Sequence, residues 1–160
     1  MSEMGRFAAY LRQKHLSALA EENQRALRAL DPPMMKQYAN VPSAQITQQM
    51  KTELDALLAA WELGRGTEHA LEGIRVWEAG GVATATPDSI EVTDMVLAAM
   101  AQKQALLSFL EGYTHETNVG KTIRDEVNKH FTTVRAEATE AVIRIRVARQ
   151  HGANQQPRNK

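Results

Sequence analysis

The sequence predicts an all-α, bundle-like single domain of five to six helices ending in a long C-terminal helix. Apolar residues recur at spacings of three and four from end to end, and the period-two alternation of strands is almost absent. The 160 residues, 43% of them hydrophobic, are enough for one sizeable core and too few for two catalytic domains.

The first helix is expected over Ser2 to Leu30, with Phe7, Leu11, Leu16, Leu19, Leu27 and Leu30 on its apolar side. That stripe drifts, which puts a break near Ala20 to Asn23. Asp31-Pro32-Pro33 ends the helix, because proline cannot continue the hydrogen-bond ladder. Met34 to Tyr38 reads as a short helical turn, and Ser43 as the N-cap of a second helix. In that helix Ile46, Met50, Leu54, Leu57, Leu58 and Trp61 share one stripe, closed by Gly64 and Gly66. Thr67 is expected to cap a shorter helix to about Ala79, with Glu68 near its positive end and Leu71, Ile74 and Trp77 inward.

Gly80-Gly81 opens a connector through Thr86. It is neither a P-loop, which needs Lys and Ser or Thr after the glycines, nor a dinucleotide turn, which needs G-x-G-x-x-G after a strand. Thr86-Pro87-Asp88 has the chemistry of a helix start: a cap, a proline at the first position and an acid in the first turn. The helix it opens is expected to reach Leu110 or Glu111, burying Val92, Met95, Val96, Ala99, Leu106, Leu107 and Leu110. Gly112 and the run Thr114 to Asn118 break the chain before the last helix, expected over Lys121 to Gln150. Residues 1–150 therefore form one helical domain, and 151–160 read as a flexible basic tail or linker.

Within the last helix Val127, Phe131, Val134, Ala138, Ala141, Ile145 and Ala148 are spaced four, three, four, three, four and three, as in a heptad seam. The seam predicts a homodimer interface at Val127, Phe131, Val134, Ala138, Ala141 and Ile145. The stripe of a terminal helix in a monomeric bundle is the alternative. After Glu140 the chain carries Arg144, Arg146, Arg149, Arg158 and Lys160 and no acid, which suits the negative end of a helix better than a nucleic-acid patch.

Charge and composition exclude several classes. Nineteen Lys and Arg balance nineteen Asp and Glu, so no global field draws nucleic acid or an anionic membrane. The absence of cysteine removes disulfides, thiol nucleophiles and iron–sulfur clusters. Glu3 and Arg6 interrupt any signal-peptide start and no window approaches 18 apolar residues, so a cytoplasmic protein is expected. His15, His69, His115, His130 and His151 are scattered without H-E-x-x-H. Glu126 precedes His130 by four residues, where a di-iron bundle uses three. The acids Glu53, Asp55, Glu62, Asp88, Glu91 and Asp94 read mostly as solvated, and Ser2, Ser17, Ser43, Ser89 and Ser108 lack a nucleophile elbow. No enzyme and no resident cofactor is expected. Were haem bound, His69 and His130 would be the axial candidates. Trp61 and Trp77 are read as core, and Met34-Met35 as an exposed pair able to line an adaptable groove.

The stretch from Tyr38 to Gly73 has a Y-x-x-V-P-S opening, an amphipathic helix ending near Leu57 to Leu63, a glycine-containing gap and a further helix. With the helix of Met95 to Leu110 and the long last helix, it resembles the N-terminal sensor domains of RsbR-type stressosome proteins, over most of the chain. The resemblance implies a globin-like fold without haem, dimeric through its long helices and usually joined to a STAS output domain in stress signalling. The chain departs from the pattern in its Gly80 to Pro87 loop and in carrying no STAS-like βα sequence after Gln150. The resulting expectation is a non-enzymatic, dimeric sensor that relays a signal through its last helix to regulatory protein partners. The alternatives are a haem- or small-ligand-binding globin relative and a helical adaptor that grips a partner helix.

Overall fold

A computed structural model of the chain describes residues 1–80 and 90–155. The fold is all-α, and among the described residues there is no strand. Seven α-helices are present among them: α1 (Glu3–Lys14), α2 (Leu16–Leu30), α3 (Ser43–Glu62), α4 (Gly66–Glu78), α5 (Val92–Ser108), α6 (Leu110–Tyr113) and α7 (Thr117–Gln155). A 3-10 turn over Pro33–Tyr38 joins α2 to α3. The expected helix start at Thr86-Pro87-Asp88 and the loop from Gly81 lie outside the described residues.

The first helix breaks at His15 and not at Ala20 to Asn23, which lie inside α2. His15 ends one helix and begins the next: its N–H donates to the Leu11 carbonyl at 2.9 Å and its carbonyl accepts from Leu19 at 2.8 Å. Its ring lies against Tyr10 and Phe109, with centroids 4.7 and 5.5 Å away, so tertiary aromatic packing sets the bend. At the end of α2, Asp31 turns left-handed with φ 47° and Pro32 prevents continuation.

Two expected caps have other work. Ser43 is the first residue of α3, and its hydroxyl is hydrogen-bonded to the Gln24 carboxamide at 2.9 Å. Thr67 lies inside α4, and its hydroxyl is hydrogen-bonded to His130 Nδ1 at 2.8 Å. Gly64 supplies a left-handed turn (φ 72°) between α3 and α4, and Gly66 lets the α4 backbone lie on the Trp61 indole, where a Cβ would overlap the ring.

The main core joins Phe7, Leu11, Leu19, Leu54, Leu58 and Trp61 to Leu106, Ile123, Val127 and Phe131, so α1, α2, α3, α5 and α7 share one apolar interior. A smaller cluster of Ala26, Leu27 and Ala101 extends it toward Met34 and Met35. The last helix starts earlier than expected, at Thr117, and runs through His151 and Gly152 to Gln155. It packs along α5, α4 and α1. Val127, Phe131, Ala138 and Ala141 are buried there by helices of the same chain, and Val134 and Ile145 are partly covered. Val127, Phe131, Ala138 and Ala141 are thus filled from within the chain, the bundle alternative for this stripe.

Candidate functional site

Between the two core clusters the helices leave a cavity of about 440 Å³, partly open to solvent and within the range of small-molecule sites. Five helices and the 3-10 turn contribute to it. Asn23 and Leu27 come from α2, Met34, Met35 and Tyr38 from the 3-10 turn, and Ile46 and Met50 from α3. Ile74 and Trp77 of α4 form one wall. Ile90, Met95 and Ala98 form another, and Phe131, Val134 and Ala138 of α7 make the floor. The lining is mostly apolar, with the amides of Asn23, Gln49 and Gln102 and one charge of each sign, Glu53 and Arg135, and burial holds the Glu53 carboxyl above its usual range. Burial and the neighbouring Glu53 carboxylate hold the Tyr38 phenol above its usual range.

Asp94 fixes this site. Its carboxylate is fully buried, against the expectation of a solvated acid. One oxygen accepts from Met34 N at 2.8 Å and the other from Glu91 N at 2.7 Å. The Glu91 side chain in turn accepts from the Asp94 backbone, completing a capping box for α5. A helix cap and an orphan donor of the 3-10 turn therefore share one buried anion, and the methionine wall is tied to the start of α5.

Two residues of the cavity wall are each followed by a carboxylate bound to α7. After Trp77, Glu78 receives both Arg144 Nε at 2.7 Å and Arg144 Nη2 at 3.0 Å, a bidentate pair. After Ile90, Glu91 receives Arg146 Nη2. Arg144 also reaches Glu137 at 2.9 Å. The guanidinium of Arg144 holds the Glu78 carboxyl below its usual range.

The two histidines expected as haem ligands do not meet. His69 is exposed in a separate open groove with Leu63, Arg65, Glu68 and Arg75. His130 is 2% exposed, its ring packed against Trp61 and Phe131, with Nδ1 engaged by Thr67 and Nε2 without a partner. Neither lines the apolar cavity, so a haem seated there has no histidine ligand from this pair. Among the described residues no group of three or more His, Cys, Asp or Glu is placed to hold a metal ion. Burial lowers the His130 pKa to about 4, keeping the imidazole neutral at physiological pH.

Trp61 is core, at 5% exposure, but Trp77 is only half-buried and faces the cavity. Met34 and Met35 are also half-buried, packed on the smaller cluster instead of standing free as an adaptor groove would need. Periodicity did not mark Asn23, Asp94 or Ile90 as site residues. Asn23 carried one legible signal, an amide among apolar positions of α2 that lies near the core stripe. No helix among the described residues is long and apolar enough to cross a membrane. No family model, no curated protein and no solved structure matches the chain.

Proposed function

We propose that the chain is a non-enzymatic sensory module in which a small apolar ligand occupies the cavity and alters the hold of the body on the C-terminal part of α7. One observation carries the reading: wall residues Trp77 and Ile90 are each adjacent to the acid, Glu78 or Glu91, that grips Arg144 or Arg146. A ligand that spreads these walls moves both carboxylates, and differential contact in the two states is what gives it leverage over α7. The likeness to stressosome sensor domains enters as part of the proposal, supported by helix order and the long last helix. Homodimerisation belongs to it as well, relocated to Ile143 and Val147, which are 50% and 45% exposed one turn apart on α7. Regulatory protein partners and a cytoplasmic setting complete the reading.

The test is a titration with N-phenyl-1-naphthylamine, a neutral fluorophore that brightens in apolar surroundings. Saturable binding is expected, lost in Ala98→Phe, which fills the cavity. Saturating probe should also change amide exchange over residues 144–155. Bound probe with unchanged exchange in that segment would overturn the relay.

A further inference from the structure

Asn23 lies in the middle of α2, is 7% exposed and lines the cavity, yet its carboxamide makes no hydrogen bond with any described residue. Buried polar side chains are ordinarily satisfied, and the Asn23 amide, unlike the sealed His130 Nε2, keeps its polar atoms open to the cavity space. The adjacent Gln24 shows the ordinary outcome: it is similarly buried and is bonded to Ser43 and Thr47. Asparagine is also a poor residue for a helix interior, so local propensity does not account for it. What remains beside Asn23 is the cavity, whose described lining adds two amides, Gln49 and Gln102, and one charge of each sign, Glu53 and Arg135. Trp77 and Phe131 offer aromatic surface, and Met34, Met35, Met50 and Met95 offer polarisable walls that adjust to a flat ring.

From this geometry we infer that the cavity takes a neutral, aromatic-bodied small molecule carrying one hydrogen-bonding group, a carbonyl or an N–H, and that Asn23 reads that group. The inference rests on the cavity reading above and adds the ligand's chemistry. A carboxamide both donates and accepts, so either kind of group satisfies it. A pure hydrocarbon of the same shape leaves it unpaired, and discrimination against that hydrocarbon is the expected result.

The experiment displaces bound N-phenyl-1-naphthylamine from the full chain with 9-fluorenone or with fluorene, which share a skeleton and differ by one carbonyl. The fluorenone-to-fluorene affinity ratio is expected to fall about tenfold from wild type to Asn23→Leu, the worth of one buried hydrogen bond. Asn23→Ala serves as a second variant should the leucine not fold, with the same fall expected. An unchanged ratio in the folded variants means that solvent satisfies Asn23, and overturns the ligand assignment while leaving the cavity reading standing. Failure of the wild type to bind N-phenyl-1-naphthylamine at all defeats both. In the absence of ligand Asn23→Leu should melt higher than wild type, and a lower melting point with an unchanged ratio counts against any polar role for Asn23.

Discussion

At the scale of single residues, burial decides which polar groups matter. Asp94 satisfies two backbone donors from different elements, so Asp94→Ala leaves both exposed to an apolar interior. A loss on the order of 2–4 kcal/mol is expected in urea denaturation. His130 makes stability depend on pH. Its folded pKa, about 4, lies below the ordinary 6.5, so the unfolded chain binds the proton first. Stability from this residue is complete above 6.5 and declines as the pH falls toward 4, by about 2 kcal/mol between pH 6.5 and 5. Denaturation curves for wild type and His130→Gln across that window should show the slope in the first and a flatter line in the second. Asp31 holds a left-handed conformation at a helix C-terminus, where its charge is also unfavourable, and Asp31→Gly should gain roughly 0.5–1 kcal/mol by the same measurement.

At the scale of elements, the stripe from Ile46 to Trp61 was legible because helical periodicity and burial coincide along α3. The bend at His15 was not, because no proline or glycine marks it and its cause is a ring contact with Phe109, ninety-four positions away. Thr67 and Ser43 were misread for a related reason: a hydroxyl near a helix start looks like a cap until a distant partner, His130 or Gln24, claims it. The seating of α4 on α3 depends on Gly66, and Gly66→Ala should cost about 1–3 kcal/mol by forcing the Trp61 ring aside, visible as a shifted tryptophan emission and a lower melting point. The Glu78–Arg144 pair is half-exposed on the arginine side and contributes little to global stability. Its effect is local: Glu78→Gln should leave the melting point nearly unchanged while accelerating amide exchange beyond Arg144. Acid acts in the same direction, since a carboxyl whose folded pKa is depressed gives its stabilisation above the usual carboxylate range and loses it as the pH falls through the lowered value.

At the scale of the whole molecule, the all-α class and the long last helix follow from periodicity, whereas the cavity does not. Its walls come from α2, the 3-10 turn, α3, α4, α5 and α7, and no window of sequence contains more than a fragment of it. Heptad spacing in α7 identified the buried face and left open which helices bury it. Packing inside one chain and packing between two chains demand the same stripe, and the contacts of Val127 and Phe131 with the main core answer the question locally. Light scattering over a concentration series tests the remaining face: a mass near twice 17.8 kDa is expected, reverting to the monomer in the double variant Ile143→Asp, Val147→Asp. A monomeric wild type at every concentration would remove dimerisation from the proposal and leave ligand binding untouched.

Arg144 and Arg146 are two positions apart on a helix that turns about 100° per residue, so their stems leave the α7 axis on nearly opposite sides. In the proposed relay Glu78 and Glu91 therefore serve as a pair of reins on one shaft. With both taut the shaft is centred, and slackening either one biases its swing to the other side. In the relay we propose, this arrangement gives the body a direction as well as an amount of motion to impose on the end of the helix.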